Sequence, residues 1–238
     1  MNWHARYLQQ AAWTRDLRVY LFERAGLKTA RRVLEVGCGT GAILRELSVP
    51  ALHGLDLETG SLAECRVHAP AASLALGDGH FLPYPDKTFD IVYCHYLLLW
   101  VKDPLQVLCE MARVGSSVLA LAEPDYSRRM DEPSALKPLG EWQTEALRRQ
   151  GADPSFGASL AETFFQAGIR LIETGPIRGG AVVKSADDWE SEWAVIQSDL
   201  AGFVPEREIQ KMKKLDESVR EDGTRALHVP TFFAWGKT

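Results

Sequence analysis

The feature that most constrains the fold is a glycine-rich turn that follows a short apolar run. Residues 32–41 read R-V-L-E-V-G-C-G-T-G, with glycine at three alternating positions. The apolar positions Val33, Leu34 and Val36 are typical of a strand that is buried on both faces of a sheet. Residues 42–47 read A-I-L-R-E-L and favour a helix. The pattern therefore predicts a strand, a tight turn and a helix in succession.

Such a turn is suited to hold a ligand. Glycine permits positive φ and lets a ligand lie against bare backbone, and a helix start presents free N–H groups and a partial positive charge. The spacing G-x-G-x-G differs from the G-x-G-x-x-G of dinucleotide-binding folds. A carboxylate at Glu35, inside the strand, suits a cationic or ammonium group better than a pyrophosphate. The alternative is a generic turn whose glycines serve packing alone.

Acidic residues close the next two predicted strands. Asp56 ends the run L-H-G-L-D about 20 residues after the glycine turn, where a carboxylate can accept hydrogen bonds from two ribose hydroxyls. A ribose occurs in NAD and in S-adenosylmethionine (SAM), so Asp56 does not separate these two cofactors. Residues 77–86 read G-D-G-H-F-L-P-Y-P-D, which places Asp78 at the end of the third strand.

These motifs together resemble one enzyme family. The stretch V-L-E-V-G-C-G-T-G closely resembles the first motif of the class I SAM-dependent methyltransferases, and G-D-G-H-F-L-P-Y-P-D and F-D-I-V continue that pattern. The resemblance covers residues 33–125 closely and the last strand loosely. It implies an α/β fold with a Rossmann-like seven-stranded mixed sheet, whose antiparallel last strand is inserted in order. Helices cover both faces of this sheet, and a helical lid is added.

The resemblance also implies a SAM site at the carboxyl edge of the sheet, with S-adenosylhomocysteine as the product. The implied cofactor-binding residues are Glu35, Gly37, Cys38, Gly39, Gly41, Asp56, Leu57, Asp78, Gly79, His80 and His95. In this assignment Asp78 accepts from the exocyclic amine of adenine, and backbone N–H groups near Gly79 and His80 reach a ring nitrogen. A nicotinamide dehydrogenase has no strong need for that arrangement.

The fourth strand of the family delivers residues towards the transferred methyl group. His95 is the first candidate for a general base, and the alternative is a backbone contact to the methionine part of SAM with a merely packed imidazole. Tyr7 is the second catalytic candidate. The candidate substrate-pocket residues are Tyr7, Trp13, Tyr96 and Glu123.

Alternatives stay open for several of these residues. Tyr7 and Trp13 either cover the cofactor and the substrate pocket or pack the N-terminal helix onto the sheet. Glu123 and Asp125 either contact the substrate or cap the next element, and for Asp125 capping is preferred. Thr14 is a predicted N-cap for a helix over residues 15–25, with Tyr20 packed inward.

We expect a single SAM-dependent methyltransferase domain over residues 1–238. Residues 1–26 would form an N-terminal helical cover, and residues 126–155 and 185–225 would form helical lid insertions. The second insertion carries Trp189 and Trp193 on one helix face. This stripe is typical of core packing, with a ligand cage or a dimer interface as alternatives.

Composition narrows the class of partner. The net charge is −5 and no basic stripe appears, so we expect a small-molecule substrate and no nucleic acid. No apolar run approaches the ~18 residues of a membrane span, and an apolar signal core is missing from the N-terminus. We therefore expect no membrane partner and a cytoplasmic location. The four cysteines show no C-x-x-C pairing, so we expect no metal site. A monomer or a homodimer is expected.

The predicted function is the transfer of a methyl group from SAM to a small-molecule acceptor by in-line displacement. The alternatives are a non-catalytic SAM-binding or regulatory protein and, against the glycine spacing, a nicotinamide-dependent oxidoreductase. The acceptor is not identified by any motif, because neither an N/D-P-P-Y run nor a Pro-Cys nucleophile is present. A hydroxyl, an amine or a carbanion remains open as the methylated group.

Overall fold

A computed structural model describes residues 3–177 and 186–238. Its helices and strands are α1 (Trp3–Trp13), α2 (Arg15–Ala25), β1 (Arg32–Val36), β2 (Ala51–Asp56), α3 (Thr59–His68), β3 (Ser73–Leu76), β4 (Phe89–Cys94), α4 (Pro104–Val114), β5 (Gly115–Pro124), β6 (Met130–Glu132), α5 (Lys137–Arg149), α6 (Leu160–Gln166), β7 (Arg170–Pro176), α7 (Ala186–Leu200), α8 (Glu206–Glu221), β8 (Ala226–His228) and β9 (Thr231–Lys237). Residues 1–2 of the predicted cover and residue 185 of the predicted lid lie outside the described residues.

Seven of the described strands form one mixed sheet in the order β3-β2-β1-β4-β5-β9-β7. Strand β1 pairs in parallel with β2 and β4, whereas β9 runs antiparallel between β5 and β7. This arrangement confirms the predicted sheet, including the inserted antiparallel last strand. The strand order reverses at β1, so a crevice opens between the carboxyl ends of β1 and β4, where open α/β sheets bind ligands.

Helices cover both faces of the sheet, as predicted. One face packs against α4 through Val107 and Met111, and the other packs against α2 through Leu21 and Phe22. Adjacent residues of β1 point into these two cores, which is why Val33 and its neighbours are apolar. Buried parallel strands require such continuous apolar runs.

The helix predicted after the glycine turn is wrong. A single 3-10 turn, Leu44–Glu46, stands in its place, and β2 begins at Ala51. Pro50 explains the early end, because proline has no N–H to donate and disfavours helical backbone in the residue before it. The helix dipole expected behind the glycines is therefore missing, and the N–H groups of the three glycines donate to Leu55, Asp56 and Cys38 within the chain.

The N-terminal helices occur where they were predicted, but two side-chain assignments are wrong. Thr14 makes no capping bond and turns inward instead. Tyr20 is 43% exposed, and its hydroxyl donates to Glu173. The buried polar residue of α2 is Arg18, which is 1% exposed and donates to Glu46 across the space between α2 and the loop.

Helices α5, α7 and α8 form a separate apolar cluster within the predicted lid segments. Trp193 is 1% exposed at its centre, which supports the core-packing interpretation of the tryptophan stripe. The indole N–H groups of Trp189 and Trp193 both donate to the buried carboxylate of Asp216. The short antiparallel pair β6 and β8, which the sequence pattern does not predict, joins this cluster. Residues 3–177 and 186–238 contain no helix with both the length and the apolarity that a bilayer span requires.

Candidate functional site

The glycine loop lies at the carboxyl end of β1, beside the crevice. Gly37, Gly39 and Gly41 have φ of +72°, +51° and +80°, in the left-handed region that favours glycine. A Cβ at Gly37 would lie 2.7 Å from Leu97 Cδ1, and a Cβ at Gly39 would lie 3.2 Å from the Tyr7 ring. The glycines therefore serve both the backbone conformation and close packing.

Asp56 connects the end of β2 to this loop. Its Oδ2 accepts from the N–H of Gly39 at 2.7 Å, and its Oδ1 accepts from the N–H of Glu58 at 3.0 Å. Each carboxylate oxygen can accept a second hydrogen bond, so both keep acceptor capacity. The next residue, Leu57, leaves 65% of its surface exposed.

Asp78 and His80 form a compact turn after β3. Asp78 Oδ1 accepts from the backbone N–H of His80 at 2.9 Å and from its ring Nδ1 at 2.6 Å, while His80 Nε2 accepts from the N–H of Asp103. The imidazole is thus neutral with its proton on Nδ1. The bonds from the backbone and then the side chain of His80 hold the pKa of Asp78 below its usual range.

This turn corrects one expected contact. The N–H of His80 is already donated to Asp78, so it is not free to reach an adenine ring nitrogen. The N–H of Gly79 makes no hydrogen bond to any residue that the structure describes, and neither does Asp78 Oδ2. These two groups supply the neighbouring donor and acceptor that the resemblance assigns to adenine.

Glu35 and Cys38 do not present their side chains to the crevice. Glu35 is 3% exposed and accepts from the Tyr93 hydroxyl at 3.0 Å, and burial raises the pKa of this carboxyl well above its usual value. Glu35 and Tyr93 lie opposite each other in the register of the paired strands β1 and β4. The Cys38 side chain is buried and shares a hydrogen bond with Cys65, which raises the pKa of the Cys38 thiol. The N–H of Cys38 donates to Leu55, so its backbone carbonyl, which accepts from Gly41, is what keeps capacity for a ligand.

Helix α1 packs directly on the glycine loop. His4 Nδ1 lies 2.8 Å from Thr40 Oγ1, and the His4 ring stacks on His68 with centroids 3.4 Å apart. Tyr7 covers Gly39, and burial, followed by the charge of Asp56, raises the pKa of its hydroxyl. The structure thus brings Tyr7 to the loop, as the covering interpretation expects.

Trp13 lies near the other end of α1 and is partly buried. The Arg6 guanidinium carbon is 5.1 Å from the centroid of its ring, a cation–π contact.

His95 and Tyr96 follow β4 on the other side of the crevice. Tyr96 has φ of +54°, a left-handed conformation that costs a bulky residue on the order of 1 kcal/mol or more and that clusters at functional sites. Its N–H donates to the carbonyl of Ala122, and its ring lies edge-on to His95 with centroids 4.5 Å apart. Burial raises the pKa of the Tyr96 hydroxyl.

The His95 imidazole contacts the N-terminal cover rather than the sheet. Its Nε2 lies 2.9 Å from Thr14 Oγ1, and Thr14 also accepts from Arg18 at 2.7 Å. Burial and then the Arg18 charge lower the pKa of His95 to about 3. A group with this pKa is a poor proton acceptor near neutral pH.

Glu123 is not placed to contact a substrate. It is fully buried, and its carboxylate accepts from the backbone N–H groups of residues 97, 98 and 99 at 3.1, 3.0 and 3.3 Å. It therefore fixes the loop that carries Leu97 against Gly37. Burial raises its pKa to about 7. Asp125 accepts from the N–H of Ser127, which confirms its predicted capping role.

Comparisons with known proteins agree with this geometry. A family model described as a methyltransferase domain matches residues 34–117. An uncharacterized methyltransferase of Schizosaccharomyces pombe is 33% identical over 220 residues, which cover 84% of this chain and 74% of that protein. The demethylmenaquinone methyltransferase of Alkalihalophilus pseudofirmus is 30% identical over 207 residues, which cover 76% and 86%. The chain belongs to the class I SAM-dependent methyltransferases.

The fold of this chain has solved counterparts. A proposed methyltransferase from Bacillus halodurans superposes with a TM-score of 0.65 over 91% of this chain and 96% of that chain, at 16% identity. The chain spans about half the length of the first curated relatives that it matches. Its own acceptor and partners are therefore matters for proposal.

The sequence pattern did not predict the buried polar contacts by which Thr14 and Arg18 connect the N-terminal helices to the rest of the chain. Thr14 and Arg18 stand one helical turn apart, a spacing that puts them on one face. That spacing was the available signal, but an inward arginine cannot be told from a solvated one without its partner Glu46. His4 carried no signal in the sequence at all.

Proposed function

We propose that this methyltransferase binds SAM across the carboxyl ends of β1, β2 and β3 and transfers its methyl group to a small-molecule acceptor by in-line displacement. The observation that carries the proposal is Asp56, bonded to the glycine loop through Gly39 at 2.7 Å while both oxygens keep acceptor capacity. This arrangement suits the two hydroxyls of a ribose at the crevice.

The neighbouring residues fit the other parts of the cofactor. Gly79 N–H and Asp78 Oδ2 suit the ring nitrogen and amine of adenine. Leu57 and Phe81, which are 65% and 74% exposed at the same sheet edge, offer apolar surface to an aromatic base. The loop backbone at Gly37 to Gly41 and the ring of Tyr7 are left for the methionine part.

The chain's own task in the reaction is orientation and exclusion of water. SAM supplies an activated methyl group on a sulfonium, and a held nucleophile then needs correct alignment, which is worth up to roughly 7–11 kcal/mol. We assign this task to the residues at the end of β4, to the cover formed by residues 1–26, and to the lid formed by residues 126–155 and 185–225. The contacts of α1 with the glycine loop and the separate apolar cluster of α5, α7 and α8 support that division.

A small-molecule acceptor is the class best supported. The net charge of −5 disfavours a nucleic acid. Relatives include enzymes named for demethylmenaquinone, for trans-aconitate and for malonyl-[acyl-carrier protein].

Thermal unfolding with S-adenosylhomocysteine tests the cofactor assignment. We expect a raised melting temperature for the natural protein and a loss of most of that rise in Asp56→Ala. Asp222→Ala, which removes an exposed carboxylate after α8, is the matched control and should keep the rise. Absence of any rise in the natural protein would overturn the assignment. Incubation with methyl-labelled SAM and a metabolite extract, followed by mass spectrometry, would then identify the acceptor.

A further inference from the structure

His95 is held by a polar group of the N-terminal helices, not by a carboxylate. Thr14 Oγ1 lies 2.9 Å from His95 Nε2, and the buried guanidinium of Arg18 donates to the same oxygen at 2.7 Å. Arg18 also donates to the carbonyl of Ala11 and to Glu46. The three residues form a chain that runs from the buried cation to the imidazole.

The hydroxyl proton of Thr14 decides which imidazole nitrogen is protonated. Thr14 Oγ1 accepts from Arg18, so its own proton goes either to the Ala11 carbonyl at 3.3 Å or to His95 Nε2 at 2.9 Å. The Ala11 carbonyl already accepts from Arg18. The shorter distance to Nε2, together with the bond that the Ala11 carbonyl already receives, favours donation of the Thr14 proton to His95. Nε2 is then an acceptor, and the ring proton sits on Nδ1.

The other nitrogen of His95 is available to a ligand. Among the described residues none forms a hydrogen bond with Nδ1, and His95 as a residue is only partly buried. The charged group that faces the ring is Arg18 of α2, and the titratable neighbour on its own segment is Tyr96. Neither favours a second proton on the imidazole, because one is a cation and the other a neutral phenol.

We propose that Thr14 and Arg18 hold His95 as a neutral imidazole whose Nδ1–H binds and orients the methyl acceptor, and that His95 removes no proton from it. This inference rests on the proposed function, because it assumes that the end of β4 faces the transferred methyl group. Thr14 and Arg18 act as positioning residues, and His95 is the residue that touches the acceptor.

The inference defines the chemical class of the acceptor. The hydroxyls of Tyr7 and Tyr96 have raised pKa values and stay protonated near neutral pH, so they too are donors rather than bases. A donor at this place favours an acceptor atom that already carries a negative charge, as in a carboxylate, an enolate or an acidic phenol, over a neutral amine, whose reacting lone pair it would occupy. Its anionic atom forms a bond to the methyl carbon while the carbon–sulfur bond breaks. The electron pair of that bond passes to sulfur, and no proton moves.

Nitrogen NMR of the full chain labelled at histidine tests the positioning step without a substrate. The signals of His95 are assigned by comparison with His95→Gln. We expect the Nδ1-protonated tautomer and no titration between pH 5 and 8 in the natural protein and in Thr14→Ser, which keeps the hydroxyl. Thr14→Val keeps the volume but removes the hydroxyl, so its tautomer should become mixed. An Nε2-protonated ring, or titration near pH 6.5, in the natural protein would overturn the proposal.

Methyl incorporation from labelled SAM into a metabolite extract tests the role of His95 in the reaction. Asparagine places an N–H near the position of Nδ1, so His95→Asn should keep the rate within about tenfold, whereas His95→Phe should lose a hundredfold or more. Equal losses in both variants would contradict the donor role. Labelling of an amine or an aliphatic alcohol would also contradict it, even with the thermal shift by S-adenosylhomocysteine intact. Failure of that shift would instead count against the proposed function.

Discussion

At Gly37, a single added methyl group should disturb the glycine loop. The φ of +72° at this glycine disfavours any other residue, and an added Cβ would lie 2.7 Å from Leu97 Cδ1. We expect Gly37→Ala to lower the free energy of unfolding by about 1–2 kcal/mol and to weaken S-adenosylhomocysteine binding, because the loop must shift. Denaturant unfolding and the ligand-induced rise in melting temperature measure both effects.

Gly60 provides the matched control for this substitution. It lies in the first turn of α3 at a φ outside the left-handed region, and an added Cβ would meet nothing within 4 Å. Gly60→Ala should leave ligand binding intact and stabilise the helix by up to about 1 kcal/mol. Equal effects of the two substitutions on ligand binding would show that the loop conformation is unimportant.

We expect the buried carboxyl group of Glu123 to make the free energy of unfolding depend on pH. Its pKa is about 7 in the folded protein against a usual 4.5, because burial disfavours the charge. The folded state therefore holds the proton more tightly than the unfolded state. The contribution of Glu123 to the free energy of unfolding is fully present below about pH 4.5. It falls by roughly 3 kcal/mol as the pH rises to about 7.

The variant Glu123→Gln removes this titration. Its free energy of unfolding should change less between pH 5 and 8 than that of the natural protein, which should fall as the pH rises. The amide cannot serve all three backbone N–H groups that the carboxylate binds, so a pH-independent loss is expected as well. Urea titrations at both pH values measure the difference, and parallel changes in the two proteins would exclude Glu123 as the cause.

At the scale of elements, Asp216 of α8 connects the helices of the apolar cluster that we propose as a lid. This carboxylate is 1% exposed and accepts from the indoles of Trp189 and Trp193 and from the guanidinium groups of Arg220 and Arg225. Asp216→Asn would remove the buried carboxylate that the two arginines share, leaving Arg220 paired with Glu192 and Arg225 with Asp131. Loss of one partner of a buried ion pair costs about 3–5 kcal/mol, so we expect the lid cluster to unfold more easily.

Tryptophan fluorescence during urea unfolding measures this effect, since Trp189 and Trp193 report on the lid directly. Glu217→Gln, at the exposed neighbouring position of α8, is the control and should change stability little. A loss confined to the lid would leave the S-adenosylhomocysteine response of the sheet edge measurable. Unchanged unfolding of Asp216→Asn would refute the role of the ion network.

At the scale of the whole molecule, the N-terminal helix and the sheet should respond to the cofactor together. Helix α1 contacts the glycine loop through His4 and Tyr7, so a ligand that orders the loop should also order α1. We expect S-adenosylhomocysteine to slow amide hydrogen exchange in α1 but not in α6, which packs on β7 and β9. Hydrogen-exchange mass spectrometry checks this, and unchanged exchange in α1 would remove residues 1–26 from the cofactor cover.

The sequence by itself determined the sheet, the family and the main acidic positions. Local patterns suffice there, because strands that are buried on both faces need continuous apolar runs and a left-handed turn needs glycine. Asp56 and Asp78 were predictable because Asp56 ends β2 and Asp78 stands two residues beyond β3, at the carboxyl edge of the sheet. The start of α4 also follows from local chemistry, because the Asp103 side chain accepts from the N–H of Gln106 and Pro104 fits the first turn of a helix.

Only the tertiary structure decided how the remaining polar side chains are used. The sequence predicts Thr14 as a helix cap, but its hydroxyl contacts His95, which is 81 positions away. The sequence predicts Glu123 as a substrate-pocket residue, but its carboxylate accepts from three backbone N–H groups. The helix expected after the glycines was replaced by one turn before Pro50. A buried polar group takes whichever partner the fold brings near, and long-range contacts of this kind leave no periodic trace in the chain.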